Sequence, residues 1–310
     1  MSVITVTLSP AIDVHCTLPK LTPTKEHLAT VSSRDMGGKG INISRVLTAI
    51  GTPNTAFVVL GNESEAEFAS QLSKEGLVSR SFVITGRIRE NITLHTEDGN
   101  ETRISFSDPL ATDEALWQQI ESEILMSATQ NSIVTITGRI PEGISVNSIK
   151  KTLLRLRSLS VKTVVDSKSF SLGALLESKP WLIKPNEEEI EEYTKQKVTS
   201  IEEAAAIAKS LHARGIENVI ISLGAQGAVL ACDSGCYCAM PPAVKVKSTV
   251  GAGDSTLAGF LSGFEQGFTA ERRLALAVAC GTASCTIEGT AAPTNEKIID
   301  VLAKIRTSAI

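Results

Sequence analysis

Hydrophobic and polar positions follow two rhythms along this chain. Short, nearly continuous apolar runs rich in Val and Ile recur: VITVTL (residues 3–8), NTAFVVLG (54–61), SIVTITG (132–138), VKTVVDS (161–167), WLIKPN (181–186) and ENVIISLG (217–224). Runs of this length, bounded by Gly, Pro, Asn or Ser, read as strands covered on both faces. Between them the apolar spacing changes to three and four, in INISRVLTAIG (41–51), SEAEFASQLSKEG (64–76), SVNSIKKTLLRLRS (145–158) and IEEAAAIAKSLHARG (201–215). Several of these open on Ser or close on Gly, as helices do. The tail reads as helix in STLAGFLSGFEQG, TAERRLALAVACGTASCTI and TNEKIIDVLAKIR. Strand and helix in alternation predict an α/β fold, a mostly parallel sheet flanked by helices on both faces.

Two early segments break the alternation. Residues 14–35 carry prolines and an irregular alternating pattern, and ENITLHTEDGNETRISF (90–106) alternates on either side of Asp98-Gly99. Asp-Gly between alternating runs is a strong hairpin signal. Together the segments, about 14–35 and 88–107, predict a small β-sheet lid inserted into one domain spanning residues 1–310. A small projecting sheet cannot bury both faces alone, so a homodimer with lid against lid is expected.

Composition narrows the function. The chain has 310 residues, 42% hydrophobic content, mean hydropathy +0.11 and a net charge of −4. That supports a sizeable core and argues against a nucleic-acid binder that neutralises phosphates. No apolar stretch reaches membrane-spanning length, and MSVITVTLSPAID lacks the pattern of a signal peptide, so no membrane partner is expected. The six cysteines are scattered, and Cys232, Cys236 and Cys238 match no common zinc spacing. They read as strand-core thiols around Asp233-Ser234-Gly235, in keeping with a cytoplasmic location. EEEIEE (187–192) reads as a solvated helix face.

Two glycine stretches carry the candidate chemistry. In STVGAGDSTLAGF, Gly251-Ala252-Gly253-Asp254 stands where a helix begins. A helix N-terminus presents unpaired N–H groups and a positive dipole end, and glycine lets an anion approach the backbone. Asp254 is then placed as a general base beside a developing anion. Taken alone, it reads first as a helix cap after a flexible turn, since Asp is a good cap. DMGGKGINISRV (35–46) puts glycines, Lys39 and Asn42 at a second helix start. It has neither P-loop nor dinucleotide-fingerprint spacing. One start with a cation and one with a carboxylate suggest a site handling a phosphate and a hydroxyl.

These stretches resemble the signatures of the PfkB, or ribokinase-like, carbohydrate kinase family. GGKGINISRVL resembles its N-terminal signature and STVGAGDSTLAGF its C-terminal one. KPNEEE resembles its Asn-x-x-Glu motif and ISLGAQGA its Ser-x-Gly-x-x-Gly loop. They occur in the family's order over essentially the whole chain. TLSPAID (7–13) and RENI (89–92) are similar to the 1-phosphofructokinase and tagatose-6-phosphate kinase branch.

The resemblance implies a ribokinase-like fold and a set of roles. Asp254 would take the proton of a sugar hydroxyl, with the backbone from Gly251 through Ala252, Gly253 and Asp254 forming an anion hole for the transferring phosphoryl group. Asp13, Gly38, Lys39 and Asn42 would hold the sugar. Arg89, on the lid hairpin, would meet a substrate phosphate, for which the arginine fork is suited; Arg139, outside the family pattern, either reinforces phosphate binding or points outward. Lys184, Asn186, Ser222, Gly224 and Gly227 would line the ATP side. Asn186 and Glu189 would organise Mg²⁺, largely through water; a helix-capping Asn and a surface Glu are the simple alternatives. The chain departs from the pattern at Ser9, where the branch usually has Asn, and at Arg139, where the family usually has Ser. Lys25 lies near a lid position where some members carry a phosphate-binding Lys.

The expected activity is ATP- and Mg²⁺-dependent phosphorylation of a ketohexose phosphate. D-Fructose 1-phosphate, giving fructose 1,6-bisphosphate, is the first choice and D-tagatose 6-phosphate the alternative. A non-catalytic sugar-phosphate sensor is the reading from another class.

Overall fold

The computed structural model describes residues 3–107, 110–287 and 289–310. Along the chain it runs β1 (Val3–Thr7), β2 (Ala11–Leu18), β3 (Thr30–Gly37), α1 (Lys39–Ala49), β4 (Asn54–Gly61), α2 (Glu65–Lys74), β5 (Ser79–Ile84), β6 (Glu90–Thr96) and β7 (Glu101–Ile104). It continues through α3 (Glu114–Ser127), β8 (Ile133–Thr137), α4 (Val146–Ser158), β9 (Lys162–Asp166), α5 (Leu172–Ser178), β10 (Leu182–Ile183), α6 (Glu187–Thr194) and α7 (Ile201–Ala213). The last part is β11 (Asn218–Ser222), β12 (Ala228–Cys232), β13 (Gly235–Met240), α8 (Ala252–Glu265), α9 (Ala270–Ser284), α10 (Asn295–Leu302) and β14 (Arg306–Ala309).

The main sheet has ten strands in the order β14-β13-β12-β11-β10-β9-β8-β1-β4-β5. From β11 to β5 every pairing is parallel, and β12, β13 and β14 add antiparallel strands at the other edge. The continuous apolar runs follow from burial on both sides, because successive side chains point to opposite faces. In β11, Val219 and Ile221 join the core beneath α2, α3, α4 and α7, with Phe68, Trp117 and Leu153. Ile220 points the other way, into the core beneath α1, α8 and α9, with Leu47, Phe260 and Leu274.

The predicted mostly parallel sheet with helices on both faces is present, as is a separate small sheet. The latter has four strands in the order β3-β2-β6-β7, and the Asp98-Gly99 hairpin joins β6 to β7. Its boundaries differ from the sequence expectation. The lid begins at Ala11, so Asp13 is a lid-strand residue, whereas Arg89 stands just before β6 instead of on the hairpin. TNEKIIDVLAKIR is helical only to Leu302; Arg306–Ala309 instead pairs with β13, because the open sheet edge offers hydrogen bonds that a short terminal helix lacks. WLIKPN contributes only Leu182–Ile183 as strand. EEEIEE forms α6 but is not wholly solvated, since Glu189 and Ile190 are buried. Cys232, Cys236 and Cys238 lie in β12 and β13 as buried free thiols. Among the described residues no helix is long and apolar enough to cross a membrane.

Candidate active site

The C-terminal ends of the parallel strands, where ligands bind in open α/β sheets, open into a cleft of about 1160 Å³ beneath the lid. Every sequence-predicted site residue lines it: Asp13, Gly38, Lys39, Asn42, Arg89, Arg139, Lys184, Asn186, Glu189, Ser222, Gly224, Gly227 and Gly251 through Asp254. The two glycine stretches, far apart in sequence, meet there.

Helix α8 starts at the second stretch. Its N-cap is Gly251, in the left-handed region at φ 78°, which an L side chain adopts only at a cost. Asp254 is therefore not the cap but the third helical residue. Its buried carboxylate accepts a hydrogen bond from Asn42 Nδ2 at 2.8 Å, which sets aside the capping alternative. The Ala252 N–H is directed at the Thr249 carbonyl at 3.3 Å. Among the described residues no backbone acceptor faces the N–H groups of Gly253 and Asp254. Gly253 also keeps the approach open, since a Cβ there would stand 3.1 Å from Lys184 Nζ.

A charged cluster surrounds Asp254. Lys39 Nζ lies 3.0 Å from Asp166 Oδ1, and Lys184 Nζ lies 3.6 Å from Asp166 Oδ2. Burial raises the Asp254 pKa to about 6, with Asp166 adding to the rise while Lys39, the Asn42 hydrogen bond and Lys184 oppose it. Asp166 moves the other way: burial works against its charge, but the two lysines hold it below the ordinary carboxylate value. Lys39 is pushed above its ordinary value; burial opposes this, and Asp166 and Asp254 overcome it. The result is one carboxylate kept ionised and a neighbour that titrates near neutrality, a separation suited to acid–base work.

At the lid end, Asp13 Oδ1 accepts from Asn91 Nδ2 and Arg103 Nη2, each at 2.9 Å. A Cβ at Gly37 would stand 2.7 Å from Asp13 Oδ2, so the glycine leaves that oxygen room. Arg89 spans the lid root, donating to the carbonyls of Pro10 at 3.4 Å and Phe106 at 3.3 Å. Arg139 is exposed at the rim, after β8.

At the other end, the loop after β11 closes on itself through Leu223 N–H to Gly227 O at 2.8 Å. Pro241, Val244, Val246 and Val278 form an apolar wall beyond it. Asn186 and Glu189 make a reciprocal capping box at the start of α6: Asn186 Oδ1 accepts from Glu189 N–H at 2.9 Å and Glu189 Oε2 from Asn186 N–H at 3.1 Å. The capping alternative is thus real for Asn186, whereas Glu189 is buried and not the surface residue of its alternative; both line the cleft. Gly227 has φ 99°, and a Cβ there would come within 1.9 Å of the Ala239 carbonyl oxygen. Gly227→Ala is expected to lower stability by roughly 1–3 kcal/mol. A melting temperature equal to wild type would reject that reading.

The profile of the pfkB family of carbohydrate kinases matches residues 5–298. The chain belongs to this family. It is 35% identical to 1-phosphofructokinase from Escherichia coli over 277 residues, covering 89% of this chain and 88% of that protein. With 1-phosphofructokinase from Vibrio cholerae the identity is 31% over 308 residues, covering 99% and 97%. Phosphofructokinase-2 from Escherichia coli, solved in complex with substrates and products, superposes with a TM-score of 0.92 at 26% identity, covering 98% of this chain and 99% of that one. The protein is therefore a carbohydrate kinase of ribokinase-like fold.

Sequence reasoning about this pfkB-family kinase missed three polar groups in the site. Asp166 closes the VKTVVDS strand; a carboxylate at the C-terminal end of a buried parallel strand was a usable signal. Arg103 lies in the alternating hairpin on the same lid face as Asp13, which strand parity could have shown. Asn91 reaches Asp13 from the neighbouring lid strand, a pairing that depends on a register the sequence did not reveal.

Proposed function

We propose that this kinase transfers the γ-phosphoryl group of ATP to a hydroxyl of a phosphorylated ketohexose, D-fructose 1-phosphate first, with D-tagatose 6-phosphate as the alternative. One observation carries the phosphosugar reading: Arg89, Arg103 and Arg139 all line the cleft, Arg89 at the lid root and Arg103 paired to Asp13 on the lid. A neutral sugar needs no such cationic surround, whereas the charge of a phosphate held there does. The names of the 1-phosphofructokinase relatives point the same way.

In this reading Asp13 Oδ2 accepts from sugar hydroxyls while Asn91 and Arg103 hold its other oxygen. Asp254 takes the proton of the attacking hydroxyl, and the Gly253 and Asp254 N–H groups face the charge that develops on the transferring phosphoryl group. Phosphoryl transfer depends mainly on such positioning and charge stabilisation. Lys39 steadies Asp166 and the base. Lys184, Ser222, Gly224 and Gly227 line the ATP side, with the apolar wall for the base of the nucleotide. The oxygen donors of Asn186 and Glu189 suit Mg²⁺ held through its water shell, since the capping box uses one lone pair of Asn186 Oδ1, the only side-chain oxygen of that residue, and Oε2 of Glu189, with Glu189 Oε1 outside it. When bound with ATP, Mg²⁺ would neutralise phosphate charge.

The test is ADP release with fructose 1-phosphate, tagatose 6-phosphate and fructose. Turnover of the two phosphorylated sugars well above fructose is expected; turnover of fructose alone would overturn the phosphosugar assignment, and no turnover of any would favour the sensor reading. Arg89→Ala is expected to cost phosphorylated ketoses about ten- to a hundredfold in kcat/KM and fructose little. Equal losses for all three would show that Arg89 is not a phosphate clamp.

A cytoplasmic homodimer completes the reading. Leu28, Val31, Ile104 and Phe106 leave apolar surface exposed on and around the lid, Leu28 at 95%. A strict monomer in sedimentation at micromolar concentration would count against it.

A further inference from the structure

Behind Asp254 a network runs from the cleft wall at Asn42 into the body of the protein. Asn42 and Arg45 are three residues apart on α1, so their side chains share a face. Asn42 Nδ2 donates to Asp254 Oδ2 at 2.8 Å, and Asn42 Oδ1 accepts from Arg45 Nη1 at 3.0 Å. Nε and Nη2 of the guanidinium are engaged as well. Nε donates to Glu75 Oε2 at 2.5 Å and Nη2 to Glu75 Oε1 at 3.3 Å, and Nη2 also donates to the Met36 carbonyl. Glu75 follows the last turn of α2 and is steadied by Gln71 Nε2 at 3.0 Å. Met36 lies near the end of β3, where the lid strand returns to the body. Arg45 is buried, at 7% exposure, and lines no part of the cleft.

We propose that Arg45, held by Glu75, is a positioning residue for the reaction: it sets which end of the Asn42 amide meets Asp254 and ties that choice to the root of the lid. This rests on Asp254 being the base. An amide can turn either end toward a carboxylate, and only its NH₂ end is attractive there. Arginine has donors and no acceptor, so it binds only the oxygen end. With Arg45 fixed by a forked pair to Glu75, the amide has one satisfied orientation, and the carboxylate of Asp254 is held toward the cleft. A buried arginine whose contacts were merely structural would have no need of the Asn42 oxygen. Lysine, with a single ammonium, cannot serve Asn42, Glu75 and the Met36 carbonyl together.

The test is a double-mutant cycle on kcat, using ADP release with the best sugar of the panel. Arg45→Met and Glu75→Gln are each made in the wild type and in Asn42→Ala. Arg45→Met is expected to lower kcat about tenfold or more with the KM for ATP within about threefold, and Glu75→Gln to lower it by a smaller factor in the same sense. Arg45→Lys is expected to restore little. In the Asn42→Ala background both variants are expected to lose almost nothing further. If they lose as much there as in the wild type, or if KM rises and kcat holds, the inference is overturned. Should Arg45→Met fail to fold by circular dichroism, Glu75→Gln alone, on a half-exposed residue, decides the cycle. Full turnover by Asp254→Asn would instead remove the underlying assignment of the base, a result separate from either outcome of the cycle.

Discussion

Asp254→Asn is expected to lower kcat by about a hundred- to ten-thousand-fold while making the folded protein more stable at neutral pH. The kinetic part follows from removing the proposed general base while keeping its shape and the hydrogen bond from Asn42. The KM for ATP should change little. The stability part follows from the raised pKa. Burial lifts Asp254 from 3.8 to about 6, so charging it in the folded state opposes folding by roughly 3 kcal/mol at most. The sign is that of a group whose folded value exceeds its unfolded one. Its favourable contribution is complete below the unfolded value and is lost as pH rises through the folded value. Asparagine carries no such cost, so the variant should outlast the wild type at about pH 7.5, and the difference should close near about pH 3.5. Chemical denaturation at both pH values, beside the kinetics, checks this. Near-normal turnover would remove Asp254 as the base; a variant less stable than wild type at neutral pH would show that its carboxylate is not a strained charge.

Lys39→Met is expected to lower kcat/KM at neutral pH by about ten- to a hundredfold and to move the acid limb of its pH profile upward. Lys39 opposes the rise of the Asp254 pKa, so removing its charge pushes that pKa above about 6 and leaves less of the base ionised at pH 7. It also leaves Asp166 with Lys184 alone. The base works deprotonated, so the wild-type profile of kcat/KM should fall as pH drops through about 6. Measuring both enzymes across about pH 5 to 9 separates the effects. A fall in rate with an unmoved acid limb would show that Lys39 acts only on substrate, as the sugar-side residue the sequence motif suggested.

Much of the architecture was legible because it depends on local chemistry. The two rhythms of apolar spacing follow from strand and helix geometry, and Asp98-Gly99 follows from the backbone freedom its turn requires. The glycine stretches around residues 38 and 251 were legible for the same reason. Their backbones have φ 144° and 78°, conformations that favour glycine over other residues. The limits appeared where local preference competed with a distant partner. Residues 303–306 continue the pattern of a helix, yet the edge of β13 captured the chain as β14. Two residues of WLIKPN suffice as a strand because both neighbours are already in place.

By itself, the sequence determined the layered α/β plan, the small lid and the two glycine-bearing helix starts, since each depends on residues within a few positions of one another. Only the tertiary structure decided how the charges are shared. Asp254 finds Asn42 across 212 residues, Lys39 finds Asp166 across 127 and Arg103 finds Asp13 across 90. No periodicity encodes such pairings. They arise when the parallel strands bring their C-terminal ends to one edge and the lid strands pair in their own sheet, and there the cost of burying a charge or leaving a donor unmet selects the partner. That is why the partners of Asp166 and Arg103 escaped a reading of the chain, and why the pKa of Asp254 is a property of the folded cleft and not of the Gly-Ala-Gly-Asp turn that carries it.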